Sequence, residues 1–342
     1  MMRWTAAMQT PFHDFLRIPG NARTVWVAGL SLLLGLAVLL VPFSDSPIAI
    51  DIGFRICMLI ILAVSWDLMA GAGLISLGHS AFWGLGNYAA IISANGLGFN
   101  LALSLLPATL SGALLGAGLA VITGRLRGIY FAISTLAASE GLRVLAVMLP
   151  DVTGGSNGIY LDTTLAPNPL VVNITGSIGA IAGAIVAVLI ARSRYHFALR
   201  AMRNNESAAQ MLGIEPLRYR VGIMAISGAM ASLAGGISMW RGGYLDPSMA
   251  FDLLTTINTQ IASILGGIYT IPGPIIGAAA AIALGELTRI FFGQFVGVSL
   301  FIFGIVLTLL VLRLPNGIYG GLRQQWLRLR SDSSKQISSR KA

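Results

Sequence analysis

Residues 25–43, VWVAGLSLLLGLAVLLVPF, contain no charged side chain, and comparable apolar runs recur as far as residue 314. Roughly 20 such residues cross a hydrocarbon core as a helix, because lipid offers backbone N–H and C=O groups no partner and a helix satisfies them internally. The chain is therefore expected to be an all-α integral membrane protein. Composition agrees: 56% of its 342 residues are hydrophobic, 10% are charged, and mean hydropathy is +0.80. The pattern predicts about ten transmembrane helices, some discontinuous, near 25–43, 52–71, 75–94, 99–123, 128–149, 170–191, 221–240, 253–270, 272–291 and 294–314. The first run is read as a span and not a signal peptide, since it exceeds an h-region in length and ends in VPFSDSP without a small-x-small cleavage site.

Charge sorts the connecting segments. Arg3, Arg17 and Arg23 precede the first run, Arg125 and Arg127 separate the fourth and fifth, six arginines fill 192–220, and Arg323, Arg328, Arg330, Lys335, Arg340 and Lys341 lie in the tail. The 150–169 loop holds Asp151 and Asp162 with no basic residue. Ten spans put every basic segment on one side, which the positive-inside rule makes cytoplasmic together with both termini. The expected division is a cytoplasmic segment 1–24, a transmembrane domain 25–314 with a cytoplasmic loop 192–220, and a basic tail 315–342 bearing Trp326. The net charge of +9 then marks topology and contact with an anionic lipid bilayer, not nucleic acid. Cys57 alone supplies neither a disulfide nor a thiolate metal site, and His13, His79 and His196 make no metal centre, so none is expected.

Residues 200–216, RAMRNNESAAQMLGIEP, are polar amid apolar neighbours. Asn204 or Asn205 can cap a short helix, Glu206 suits its positive first turn, and Gly213 can stop it. Ala208, Met211 and Leu212 share a face at i, i+3, i+4 spacing. Two turns are not stable alone in water, so that stripe is expected to dock on the chain's own helices or on another protein.

Other residues need accounting at membrane depth, where a lone charge is costly. Glu140 with Arg143 and Glu286 with Arg289 stand at i, i+3 and are expected to neutralise each other. Asp67 is read as capping a glycine-rich break, and His79, in SLGHSAF after Ser76, as a hydrogen-bonded structural residue. Gly71, Gly73, Gly78, Gly84 and Gly86 crowd one region; Gly266, Gly267, Gly273 and Gly277, with Pro272 and Pro274, crowd another. Such breaks either line a cavity, as in broken-helix transporters, or let helices pack closely. On the first reading Ser76, Gly78, His79, Gly266, Gly267 and Gly273 lie on a translocation path. A leucine at Gly78 or Gly266 would then block transport while leaving assembly intact. TGGSNGI (Thr153, Gly154, Gly155, Ser156 and Gly158 within it) is a candidate external loop. It is either a plain turn or a nest of N–H groups that docks a delivery protein.

Five segments carry a resemblance. RAMRNNESAAQMLGI resembles the cytoplasmic loop of ABC importer permeases. SWDLMAGAGLISLGHSAFWGLGNYAA, GIYFAISTLAASEGLR with TGGSNGI, LGGIYTIPGPIIGA and LPNGIYG resemble the branched-chain amino-acid branch of that family, specifically its M-type permease, in order from about 55 to 320. The resemblance implies an ABC importer permease fold in a bacterial inner membrane. It further implies a second, H-type permease, two ATP-hydrolysing subunits and a periplasmic substrate-binding protein as partners. The loop helix would couple to an ATPase cleft through Arg203, Asn205, Glu206, Ala208, Ala209, Leu212 and Gly213, with Ala208 and Ala209 buried there. The chain departs from the family pattern at His196 and Phe197, where Gly then Arg is usual, and at Asn204. Since relatives also carry urea and aromatic acids, the substrate stays open.

Enzyme classes fare poorly. A phosphate loop needs its lysine, and the lysines here are Lys335 and Lys341 in the tail, so ATP–Mg is expected only in partner subunits and no cofactor in this chain. An intramembrane hydrolase would need a nucleophile beside a base, and His79 lacks the context. A stand-alone secondary transporter or channel would share the apolar helices but gives the capped loop helix no task.

Overall fold

The computed structural model describes residues 46–292, 297–314 and 316–321. The first expected span, the segment before it and the tail after residue 321 lie outside the described residues. The order is α1 (Pro47–Gly71), α2 (His79–Leu97), α3 (Leu101–Ile122), α4 (Ile129–Met148), α5 (Pro150–Thr153), β1 (Ile159–Tyr160), α6 (Pro169–Arg192), α7 (Arg194–Asn204), α8 (Glu206–Met211), α9 (Pro216–Gly242), β2 (Tyr244–Leu245), α10 (Pro247–Ala250), α11 (Leu253–Gly266), α12 (Pro272–Phe292) and α13 (Val298–Arg313). Among them α1, α3, α4, α6, α9 and α12 are long and apolar enough to cross a membrane.

Helix starts follow local chemistry. Proline opens α1, α6 and α9, where its missing N–H costs nothing. Asn100, Asn168 and Asp252 cap α3, α6 and α11 by accepting the N–H of Leu103 at 3.0 Å, Leu170 at 2.9 Å and Leu254 at 2.9 Å.

The expected 75–94 helix begins only at His79, and the expected 253–270 helix stops at Gly266. The glycine-rich stretches between are irregular links. His79 Nε2 lies 2.7 Å from Ser65 Oγ, and Ser65 is six residues short of the end of α1, so α2 starts about 9 Å inside the bundle. The Ser80 N–H donates to Thr256 Oγ1 in the first turn of α11 at 2.8 Å. The N-termini of two discontinuous helices therefore meet within the bundle.

Close packing of α3 on α9 forms the pillar. A Cβ on Gly112 would stand 2.3 Å from the Gly228 carbonyl oxygen, and one on Gly116 2.1 Å from that of Met224, so small residues let the two backbones touch. Around this pillar Ile61, Phe82, Ile91, Met224 and Ile237 are fully buried. At the end away from the arginine-rich loop, β1 pairs antiparallel with β2, Ile159 opposite Leu245 and Tyr160 opposite Tyr244.

Candidate functional site

Four of the sequence motifs converge at the arginine-rich end. Asp67, near the end of α1, accepts the Tyr269 N–H at 2.8 Å across 202 positions of sequence. Tyr269 has φ of 65°, a left-handed backbone that costs a side-chain-bearing residue about 1 kcal/mol or more, and the carboxylate bond offsets that cost. Over its ring lies the Arg203 guanidinium, 3.9 Å from the centroid, in a cation–π contact. Burial pulls the Arg203 pKa below its ordinary value, and the neighbouring Tyr269 and Asp67 act against that shift. Arg203 also touches the Gly73 turn after α1, while Gly317 of LPNGIYG packs on Gly267. Asp67 thus caps the second glycine break, not the one that follows it in sequence.

The loop itself is two helices, α7 and α8. Asn205 is the cap, its Oδ1 accepting the Ala208 N–H at 3.1 Å. Glu206 does more than favour the helix dipole: its Oε2 lies 3.0 Å from Arg127 Nε and 3.0 Å from Arg220 Nη2. Arg220 is buried and also donates to the carbonyls of Gly124 and Leu126 at 3.0 and 3.1 Å. This clamp ties α8 to α9 and to the α3–α4 turn. Gly213, at φ of 82°, reverses the chain after α8.

Ala209 is 1% exposed against the chain's own packing, whereas Met211 is 88% and Leu212 79% exposed, with Ala208 exposed beside them. The expected stripe therefore points away from the bundle, and Ala209 serves the loop's own fold.

The residues assigned to a path sit in a dense junction. Ser76 accepts on its carbonyl from Trp66 Nε1 at 2.9 Å and Gln260 Nε2 at 3.0 Å. Ser80 Oγ lies 2.9 Å from Ser139 Oγ, and the Leu77 N–H donates to Thr135 Oγ1 at 3.1 Å. A Cβ on Gly78 would stand 1.8 Å from the Thr135 carbonyl oxygen; one on Gly266, 1.7 Å from that of Gly273; and one on Gly273, 2.1 Å from that of Gly267. These glycines face backbone, the close-packing alternative of the two. His79 is fully buried and bonded through Ser65, in keeping with a structural role.

At the opposite end Thr153 Oγ1 donates to the Leu149 carbonyl at 2.7 Å, and Gly154, Gly155 and Gly158 take positive φ. The N–H groups of Gly154, Asn157 and Gly158 bond to carbonyls nearby, and that of Gly155 bonds to Thr153 Oγ1. These four donors form a turn and not an open nest. Ser156 is exposed at its tip. Glu286 pairs with Arg289 at 2.7 Å and, beyond what i, i+3 spacing showed, with Arg55 of α1 at 2.6 Å. Asp51 extends the chain to Arg55 at 2.9 Å and Arg241 at 3.1 Å.

Six lipid-length helices among the described residues, discontinuous helices meeting inside the bundle and a clamped polar loop at one end define a multi-pass helical membrane protein. The chain belongs to the family of the branched-chain amino acid transport system permease component, whose model matches residues 48–311. It is 30% identical over 138 residues to the probable branched-chain amino acid transport permease protein LivH of Methanocaldococcus jannaschii, covering 39% of this chain and 43% of that protein. It is 28% and 29% identical to the high-affinity branched-chain amino acid transport system permease protein LivM of Salmonella typhimurium and Escherichia coli, over 40% of this chain and 31% of each relative. The chain thus spans less than half the length of the curated relatives it matches. No solved structure matches it significantly.

Proposed function

We propose that the chain is the M-type permease subunit of an ATP-binding-cassette importer for branched-chain or closely related amino acids. It sits in a bacterial inner membrane with its arginine-rich end and both termini cytoplasmic. An H-type permease completes the path, a periplasmic protein delivers the substrate, and two ATPase subunits bind ATP–Mg and hydrolyse it. One observation carries this reading: α8 is clamped at its first turn by Glu206, Arg127 and Arg220, yet holds Ala208, Met211 and Leu212 out to solvent. An exposed apolar stripe on a rigidly held two-turn helix is a docking element, as an amphipathic helix set into a partner's groove. A stand-alone transporter gives that stripe no occupant. Force applied to α8 reaches the helices directly, through the Glu206 clamp into α9 and through Arg203, Tyr269 and Asp67 into α1 and the break after α11.

The test is the variant Met211→Ser with Leu212→Ser. Both side chains are exposed, so insertion and thermal stability should stay as in the parent, while co-purification of the ATPases and amino-acid uptake fall tenfold or more. Unchanged co-purification together with unchanged uptake would falsify the coupling role.

A further inference from the structure

Helix α4 packs on α2 and α10 through Phe131, Ala132, Thr135 and Ser139, and its other side is open. On that side Arg143 Nε donates to Glu140 Oε1 at 2.7 Å, with the carboxylate side chain 56% exposed. Glu140 is 11 positions beyond Ile129, the first residue of α4. That places it about 16 Å along the helix, near the middle of a hydrocarbon core of about 30 Å. Open faces elsewhere are of another kind: α3 presents Leu103, Leu106, Leu110 and Leu114, and α6 presents Ile178, Ile185 and Leu189. Those suit lipid. An exposed carboxylate and a partly exposed guanidinium at mid-depth do not, and such groups face a wet path or another chain.

The pair has a feature that mutual neutralisation does not use: it is not sealed by this chain's own packing, so a further charged group can reach it. An α-amino acid is its complement: a carboxylate that the planar guanidinium fork takes with two parallel bonds, and an ammonium that a carboxylate accepts. The open side of the helix continues at Gly141, where a Cβ would meet nothing within 4 Å. Exposed Ile133 and Val144 offer apolar surface to an aliphatic side chain on the same helix.

We propose that Glu140 and Arg143 form a zwitterion-binding site on the transport path, the pair opening so that Arg143 takes the α-carboxylate and Glu140 the α-ammonium of a passing aliphatic amino acid. The site rests on the amino-acid reading above and adds to it the residues that hold the substrate within the membrane.

Two arms test it, in a strain deleted for this gene and complemented with each variant. In the first, Glu140→Gln with Arg143→Gln removes both charges and strands neither. Maximal leucine uptake should fall at least tenfold at normal membrane level, with ATPase co-purification and the half-saturating concentration unchanged. In the second, Gly141→Cys in a Cys57→Ala background should be labelled by a water-soluble thiol reagent, at least threefold more slowly while leucine is being transported. Full uptake in the doubly neutral variant, or no labelling, overturns the site and indicates a face packed on the second permease chain. Should the doubly neutral variant fail to accumulate, leucine protection of the Gly141→Cys variant decides. A parent complex that imports no aliphatic amino acid overturns the amino-acid reading and this site with it. Leucine import with an unprotected Gly141→Cys variant overturns the site alone.

Discussion

Gly78, at the start of α2, and Gly213, after the loop helix α8, both stand at helix boundaries, yet their surroundings are opposite. Gly78 has an ordinary negative φ and no room: a Cβ there would lie 1.8 Å from a carbonyl oxygen of α4. Gly213 has unlimited room, with nothing within 4 Å of an added Cβ, and an unusual backbone at φ of 82°. The interior junction is thus shaped by what touches it. The end of the loop at Gly213 is shaped by its own backbone, and Met211 and Leu212 beside it stay exposed. Glycine in a membrane protein therefore does not by itself mark a cavity.

The largest effect should come from the interior. Gly266→Leu or Gly78→Leu pushes a side chain into backbone that cannot retreat without separating two helices. Folded protein recovered from the membrane should drop at least tenfold by size-exclusion chromatography of detergent extracts. This replaces the expectation of an assembled but blocked complex; normal assembly with blocked transport would restore the cavity reading and break the contrast.

Next in size is the clamp. Glu206→Gln removes the charge facing Arg127 and the buried Arg220, and breaking a largely buried pair costs about 3 kcal/mol. Arg220 keeps its two backbone carbonyls, so the bundle should survive. Amide exchange within 206–212 should quicken by about a hundredfold while α3 and α9 remain protected. Equal quickening in α9 would show that loop and bundle are one cooperative unit.

The smallest effect belongs to Gly213→Val, which meets no neighbour and pays only for a left-handed β-branched residue, about 1 kcal/mol or somewhat more. Thermal stability of the bundle should be unchanged, while ATPase co-purification weakens severalfold. A loss of folded protein as severe as that from Gly78→Leu would erase the distinction between the two regions.

Much of the loop was legible because its determinants are local. A cap at Asn204 or Asn205, Glu206 in the first turn, Gly213 as stop and the Ala208–Met211–Leu212 face all follow from spacing along a few turns, and the structure selects Asn205. Ala209 shows the limit of that reading: its neighbours on the helix say nothing of the chain's own packing that buries it. Tyr269 carried no signal at all, since its left-handed φ depends on Asp67, 202 positions away. Arg220 was read only as one of six arginines in the 192–220 loop; its place inside α9, buried against Glu206, came from the structure.

What the sequence by itself determined is the membrane class and the placing of most helices, because burying unpaired backbone in lipid is so costly that apolar length alone settles it. The i, i+3 pairing of Glu140 with Arg143 and of Glu286 with Arg289 was settled there too, since a helix fixes which side chains are neighbours. Only the tertiary structure decided that two glycine breaks close on backbone, that four distant motifs meet through Arg203, Tyr269, Asp67 and Gly317, and that the stripe on α8 stays uncovered. Those facts depend on which surfaces pack together across long stretches of chain, and no local spacing encodes that.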